Sequence, residues 1–441
     1  MKKIIINGPC KLSGKVSIQG AKNAAIRHLL APLLTNDVFE FHNIPRIGTS
    51  ETMVEIVRLQ DGKIKWLDKN TLRTDTEHVS DSKPIPSEIF FATSGGIVAI
   101  PILVSRFGHC TVMNEKTRDD YGGDQIGSRK MAYVIDTFKQ LGISCIQKND
   151  TLIFKKVSDK ALDFKVPVRS YSVSINAVLI SLFNEGISKI TEVTTEPEFT
   201  DVIELLKKMG ADIKQKGDTL FVKGKMKLHG IEYECISDRN DFATWVSAAL
   251  TTNSEIEIKN VDYKRMKLEQ MDGVLQKMNI SLHYSQDSCF VPSQLNTIKP
   301  AQIRAGRFPD FQTEWQVLFS PLLTQIRGKS SVIELLYPNR MKHWEDLGKM
   351  GANYKFIKSK TDPLFPVKEG EQICNAVHVI GPVKLNGIQV KASDVRQGAC
   401  LLISALAACG QTVITGIEHI ERGYENIVKR LQNLGADIEE G

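Results

Sequence analysis

The sequence predicts an α/β protein of two domains, each made of three repeated units of two helices and about four strands. Three observations predict it. The chain has 441 residues, 42% hydrophobic and 24% charged. That is an ordinary globular composition at about three times the length of a ~150-residue domain. A helix-end phrase recurs six times at near-even spacing, and helices apolar nearly all round run between its copies.

The phrase is clearest in Gln140-Leu141-Gly142-Ile143, Lys208-Met209-Gly210-Ala211-Asp212-Ile213, Lys349-Met350-Gly351-Ala352-Asn353-Tyr354 and Asn433-Leu434-Gly435-Ala436-Asp437-Ile438. Degenerate copies are Leu59-Gln60-Asp61-Gly62-Lys63-Ile64 and Lys277-Met278-Asn279-Ile280. The anchors fall at 62, 142, 210, 279, 351 and 435, spaced by 80, 68, 69, 72 and 84. In each copy an amphipathic helix ends on Leu or Met. The Gly (Asn279 in one copy) is expected to take the left-handed cap at little steric cost. An alternating strand follows, as in Thr151-Leu152-Ile153-Phe154 and Thr219-Leu220-Phe221-Val222. The second helix of a unit is small and apolar, as over 176–183, 242–250 and 399–408, and so is expected to be buried on most sides. Six units divide naturally into two domains of three.

Lys+Arg 57 against Asp+Glu 51 leaves +6, a mild bias that suits small anions as well as nucleic acid. No RGG tract, Cys/His finger or RNP-type aromatic run supports nucleic-acid binding. The N-terminal apolar run, Ile4-Ile5-Ile6, is shorter than a signal peptide requires. The longest apolar stretch, 97–105, falls far short of the ~20 residues of a membrane span. The eight cysteines, at 10, 110, 145, 235, 289, 374, 400 and 409, form no Cys-x-x-Cys pair. A reducing, cytoplasmic location is therefore expected. No dinucleotide fingerprint, P-loop, His-Glu-x-x-His or EF-hand loop occurs, so no cofactor or metal is expected.

Four stretches carry polar residues that periodicity does not explain. Gly20-Ala21-Lys22-Asn23-Ala24-Ala25 opens a helix, where small residues around a Lys would let an anion approach the N-terminus. Tyr121-Gly122-Gly123-Asp124-Gln125-Ile126-Gly127-Ser128-Arg129 is a glycine-rich loop with a carboxylate and an arginine. Arg307-Phe308-Pro309-Asp310-Phe311-Gln312-Thr313-Glu314-Trp315-Gln316 is the third. Arginines near loops make the fourth, at Asn339-Arg340, Ser393-Asp394-Val395-Arg396 and His419-Ile420-Glu421-Arg422-Gly423-Tyr424-Glu425. Singly, each reads as a turn or a surface pair of small energetic weight. Together, Lys22, Arg129, Arg340, Arg396 and Arg422 would hold a multiply anionic ligand, with carboxylates at hand for proton transfer.

On these residues the chain resembles the enolpyruvyl transferases, and within them the bacterial UDP-N-acetylglucosamine 1-carboxyvinyltransferases of peptidoglycan synthesis. The likeness runs from Gly8-Pro9-x-Lys11-Leu12-x-Gly14-x-Val16 to Leu434-Gly435-Ala436-Asp437-Ile438. It includes Glu196-Pro197-Glu198, Asp238-Arg239 and the Lys-Asn-Ala-Ala and Arg-Gly-Tyr-Glu phrases. The resemblance implies a two-domain inside-out α/β barrel with the active site in the cleft. It implies residues 1–20 with 237–441 as one domain, carrying Glu314 and the arginine cluster. Residues 21–236 would be the other, carrying the loop 121–129. The implied reaction needs no metal. Phosphoenolpyruvate is protonated at its methylene carbon, the acceptor hydroxyl attacks, and phosphate leaves a tetrahedral intermediate. By position, Lys22, Arg129 and Arg422 would hold the phosphate, and Arg340 and Arg396 the rest of the phosphoenolpyruvate. Lys22, Asp124, Glu314 and Arg396 would be catalytic, and Asn23, Ser170, Glu314 and Leu336 would contact a nucleotide-linked acceptor. Asp124 stands where most members have a cysteine, which implies insensitivity to fosfomycin. Glu314 stands where the family has an Asp, and Asp310 competes for that place.

The departures from the family cluster on the acceptor side. After Arg129 the usual Pro-x-Asp-x-His reads Lys130-Met131-Ala132-Tyr133-Val134. A small-residue phrase becomes Ser170-Tyr171-Ser172-Val173-Ser174-Ile175-Asn176. A family arginine falls at about Ser94, and an early-loop Asp is replaced around Thr49-Ser50. Three readings follow: the peptidoglycan enzyme in a divergent lineage, an enolpyruvyl transferase with another nucleotide or sugar-nucleotide acceptor, and a non-catalytic ligand-binding paralogue. Retention of Lys22, Asp124, Arg129, Arg340, Arg396 and Arg422 argues against the third.

Overall fold

The computed structural model describes the chain except for Met1, Ser94, 114–130, 360, 362 and 365–373. The loop 121–129, with Asp124 and Arg129, and the positions Ser94 and Lys130 therefore lie outside the described residues. The chain forms two compact units, the first from residues up to Gln19 and from Ser237 onward, the second from residues between Gly20 and Ile236.

Among the described residues the first unit has three sheets. One orders its strands 389–391, 410–415, 3–8, 438–440; another 283–284, 288–291, 256–259, 15–17; the third 311–312, 302–306, 328–334, 376–381, 353–357. The second unit also has three. Two are four-stranded: 212–216, 219–223, 187–191, 163–165, and 232–234, 38–42, 72–75, 63–66. The third has three strands, 109–113, 151–156 and 143–148, extended by a parallel bridge from Ile85 to Val112. Two sheets thus depart from the expected four strands. One adds the two-residue strand Phe311–Gln312, and the other shortens an edge strand to a single bridge.

One pattern repeats. A strand pairs parallel at one side, Asp163 with Lys189 or Lys15 with Glu257, and the rest of the sheet is antiparallel. Parallel pairing requires a crossover, and each unit buries three helices behind its sheets. In the first unit these are Arg239–Thr251, Thr313–Gln325 and Val395–Ala407, which pack on one another. All thirteen residues of Arg239–Thr251 are buried. In the second unit they are Lys22–Leu30, Gly96–Phe107 and Tyr171–Ser181, with Gly96–Phe107 packed on the other two. Strand faces agree: Ile4 and Ile6 of Lys3–Gly8 are buried, as are Phe39 and Phe41 of Val38–His42. At ~1.5–3 kcal/mol for each fully buried large apolar side chain, these helix and strand faces supply the main drive to fold. Helices inside and sheets outside make each unit an inside-out barrel.

Amphipathic helices such as Pro197–Lys208 and Ile427–Asn433 end at the recurring phrase. Gly142, Gly210, Asn279, Gly351 and Gly435 take positive φ there, between 62° and 107°. The copy at 59–64 differs: Asp61, at φ 64°, occupies the left-handed position rather than Gly62. An Asp accepts that backbone more readily than most residues. Gly62 is small for another reason, since a Cβ there would stand 2.5 Å from Val57 Cγ1.

Candidate active site

In the first unit the starts of the three buried helices converge. Asp238 caps Arg239–Thr251, its carboxylate accepting from the Asn240 and Asp241 amides. Asp394 caps Val395–Ala407, accepting from Arg396 N at 2.8 Å and Gln397 N at 2.9 Å. The third helix, Thr313–Gln325, has no side-chain cap and carries Glu314 in its first turn. Glu314 links all three. One carboxylate oxygen accepts from Asn240 Nδ2 at 2.9 Å. The other accepts from Arg396 Nε at 3.2 Å and lies 3.8 Å from Arg340 Nη2.

Arg396 is 1% exposed. Its Nη1 donates to the Tyr424 hydroxyl at 3.0 Å, and that oxygen is 2.8 Å from Thr244 Oγ1. Burial would lower the Arg396 pKa, but Tyr424, Glu314 and Asp238 outweigh it and hold the guanidinium well above its ordinary value. Burial also pushes the Tyr424 hydroxyl up to about 12. Arg340 Nε and Arg396 Nη2 are buried N–H groups with no hydrogen-bond partner among the described residues. Such donors are costly to bury unmatched, and an anion would satisfy them. Arg340 is positioned through its backbone. His343 Nδ1–H donates to Arg340 O at 3.0 Å, and His343 Nε2 lies 2.8 Å from the Ser320 hydroxyl. Burial pushes His343 down to about 3, so it stays neutral. Arg422 follows the short helix Glu418–Glu421, and Gln19 braces that corner through Gly423 O and the Glu425 amide.

Asp310 is exposed on a turn closed by its own amide on Arg307 O, whereas Glu314 sits among the arginines. Leu336 is 8% exposed, and its amide donates to Glu334 at 2.8 Å. It offers an acceptor little more than a small apolar edge.

In the second unit Lys22 and Asn23 open the helix Lys22–Leu30, whose start has no side-chain cap. The glycine of this phrase is small for the chain's own sake: a Cβ on Gly20 would stand 1.7 Å from Asn43 O. Ala24 and Ala25 are fully buried in the core. These small residues thus serve packing. Ser170 caps Tyr171–Ser181, accepting from Val173 N at 3.5 Å. The Tyr171 hydroxyl donates to Asn23 O at 3.0 Å, and the same carbonyl accepts from Arg27 Nη1 at 3.0 Å. The Arg27 guanidinium lies 4.5 Å from the Tyr171 ring centroid. Burial lowers the Arg27 pKa, while Tyr171 and Glu196 act to raise it.

Sequence reasoning missed Asn240, Tyr424 and Arg27 as site-forming residues. Asp238-Arg239-Asn240 before an apolar helix was a readable cap signal. Arg27 carried no signal, since its place follows only from the packing of two helices.

The sequence model of the EPSP synthase (3-phosphoshikimate 1-carboxyvinyltransferase) family matches residues 6–431. The chain is 31% identical over 442 residues to UDP-N-acetylglucosamine 1-carboxyvinyltransferase 2 of Streptococcus thermophilus, covering 99% of each. This chain belongs to the enolpyruvyl transferase family. It is likewise 31% identical to UDP-N-acetylglucosamine 1-carboxyvinyltransferase 1 of Streptococcus agalactiae, covering 100% of this chain and 99% of the relative. Two solved structures share the fold. The enolpyruvyl transferase NikO of Streptomyces tendae matches with TM-score 0.85 and 19% identity, covering 100% of this chain and 98% of that one. An EPSP synthase of Acinetobacter baumannii matches with TM-score 0.70 and 13% identity, covering 100% and 99%. This enolpyruvyl transferase is therefore a transferase, and among its described residues no helix is long and apolar enough to cross a membrane.

Proposed function

We propose that the protein transfers the enolpyruvyl group of phosphoenolpyruvate to the 3-hydroxyl of UDP-N-acetylglucosamine, releasing phosphate, in peptidoglycan precursor synthesis of a bacterial cytoplasm. The observation that carries this reading is full-length 31% identity to carboxyvinyltransferases of that name, joined to the Glu314–Arg396–Arg340 cluster. Asp124 delivers a proton to the methylene carbon and Glu314 takes the proton of the acceptor hydroxyl as its oxygen bonds to C2. The tetrahedral adduct then loses phosphate and a methyl proton, restoring the vinyl group. Arg340 and Arg396 neutralise the carboxylate of phosphoenolpyruvate, and Lys22, Arg129 and Arg422 its phosphate. Asn23, Ser170 and Leu336 lie on the acceptor side. The reaction draws on no cofactor.

With Asp at 124 there is no thiol for fosfomycin to alkylate, so the enzyme is expected to be insensitive. Asp124→Cys should gain a fosfomycin adduct by mass spectrometry, and its absence would count against the placement of Asp124.

A second reading, another nucleotide-linked acceptor, is favoured by the Tyr171 ring and Arg27 guanidinium beside Asn23. An acceptor screen with phosphoenolpyruvate, reading phosphate release, separates the two. Turnover with UDP-N-acetylglucosamine supports the first. Release only with another acceptor supports the second. Binding of phosphoenolpyruvate without release from any acceptor would overturn both and leave a non-catalytic paralogue.

A further inference from the structure

The second unit holds a buried polar cluster that the transfer chemistry does not use. His28 comes from the helix Lys22–Leu30, Asp201 from Pro197–Lys208, and Cys235 from just beyond the strand Glu232–Glu234. All three are buried, and the ligand atoms they offer lie within 4.8 Å of one another. The His28 ring is fixed by the Tyr233 ring stacked on it at 5.3 Å and by the edge of Phe41 at 6.0 Å.

The two nitrogens of His28 identify the missing partner. Nδ1 lies 2.7 Å from Ala24 O, and a carbonyl only accepts, so Nδ1 carries the proton. The other nitrogen, Nε2, faces Asp201 Oδ2 at 3.1 Å. No hydrogen-bond partner serves that nitrogen among the described residues. His343 in the first unit offers a contrast, with a carbonyl at Nδ1 and the Ser320 hydroxyl 2.8 Å from Nε2. At His28 a carboxylate stands where the hydroxyl would be, and a cation, whether a proton or a metal ion, belongs between Nε2 and Oδ2.

The surroundings suit a metal. A ligating His normally donates its other N–H to a carbonyl or carboxylate, and a ligating carboxylate is itself hydrogen-bonded. Asp201 Oδ1 accepts from the Tyr233 hydroxyl at 3.1 Å. Two ligands of a tetrahedral zinc at ~2.0 Å stand ~3.3 Å apart, close to the 3.1 Å between Nε2 and Oδ2. Nitrogen, oxygen and thiolate sulfur together favour Zn²⁺ over the oxygen-seeking Mg²⁺ and Ca²⁺. Neutral imidazole, carboxylate and thiolate around a divalent ion sum to zero charge, which a fully buried site tolerates.

We propose that His28, Asp201 and Cys235 bind a structural zinc ion. It ties the helix that begins at Lys22 to Pro197–Lys208 and to the segment leaving the strand Glu232–Glu234. A water or a backbone carbonyl completes the coordination. Because the ligands sit at 28, 201 and 235, no sequence motif announces them.

The test uses the full chain, purified without chelator, equilibrated with Zn²⁺, exchanged into metal-free buffer and measured by elemental mass spectrometry. The expected result is about one zinc per chain, with Co²⁺ substitution giving a thiolate-to-cobalt charge-transfer band. His28→Gln and Cys235→Ser should each weaken zinc binding at least tenfold, as the loss of a direct ligand must match or exceed the ~10–100-fold cost of losing an outer-shell partner. A folded wild type that retains no zinc and whose melting temperature ignores added Zn²⁺ overturns the proposal, and a proton shared by His28 and Asp201 then holds the pair. Zinc retained undiminished by folded Cys235→Ser also overturns it, since the ion then sits elsewhere. If the variants fail to fold, the cobalt spectrum of the wild type decides, and a bound ion without the thiolate band overturns it.

Discussion

The two units present the same construction, buried helices whose starts meet, and fill it differently. In the first unit a side-chain carboxylate is the hub: Glu314 gathers Asn240, Arg396 and Arg340 from three other segments. In the second unit a main-chain oxygen is the hub: Asn23 O gathers the Tyr171 hydroxyl and Arg27. A charged hub holds cations with N–H groups left over for an anion. The backbone hub also leaves one buried N–H over, Arg27 Nε, and sets an aromatic ring beside a planar guanidinium. We propose that the Glu314–Arg396–Arg340 cluster acts mainly on phosphoenolpyruvate and the Asn23–Tyr171–Arg27 cluster mainly on the acceptor.

The strongest way to break that division is to remove Arg396. Truncation removes one cation from the half-buried Glu314, which keeps Asn240 and Arg340, and one of the two partners of the Tyr424 hydroxyl, and breaking a buried pair costs up to about 3–5 kcal/mol. Arg396→Ala should lower kcat/KM by about a thousandfold or more if the same energy is lost from the transition state. It should also lower the urea midpoint. A loss under tenfold would mean that the cluster is structural only. Arg396→Lys should recover little, because a point charge cannot serve Glu314 and Tyr424 with one planar fork.

Next in size is Glu314→Gln, which keeps the volume and removes the base. Loss of general-base catalysis predicts a fall in kcat of about 10²–10⁴-fold, with phosphoenolpyruvate binding changed little. Comparable turnover in the wild type and the variant would move the proton-accepting role away from Glu314. Glu314→Asp should fall between them.

The contrast between the units also explains what the sequence could disclose. Periodicity found the repeat because each unit ends its outer helix on the same cap, and five of the six copies adopt it at the expected residue. The sixth slid to Asp61, since a cap needs a tolerant residue rather than a glycine at one fixed offset. The arginines and Glu314 were legible as a set because charge near helix starts stands out against an apolar pattern. The second unit's cluster was not, because the partner of Tyr171 is a carbonyl oxygen, which every residue carries. Arg27 and His28 read as ordinary positions on an apolar helix, and only tertiary packing gives them neighbours.

Tyr171→Phe sharpens the acceptor side. It removes one hydroxyl donor from Asn23 O and leaves the ring under Arg27. The expected cost is ~1 kcal/mol, a single neutral hydrogen bond, read as a few-fold rise in acceptor KM at unchanged KM for phosphoenolpyruvate. Equal effects on both substrates would erase the division of labour between the units.

The smallest effect is the pH response of the first unit. His343 is pushed down to about 3 by burial, against ~6.5 in the unfolded chain. The unfolded chain therefore takes up a proton that the folded chain refuses. His343 favours folding fully above about pH 6.5, and that contribution declines as pH falls from there toward 3. At pH 5.5 the loss amounts to about 1 kcal/mol. His343→Asn can still donate to Arg340 O and does not titrate, so the urea midpoint should drop less between pH 7.5 and 5.5 in the variant than in the wild type. Identical slopes would place the response elsewhere.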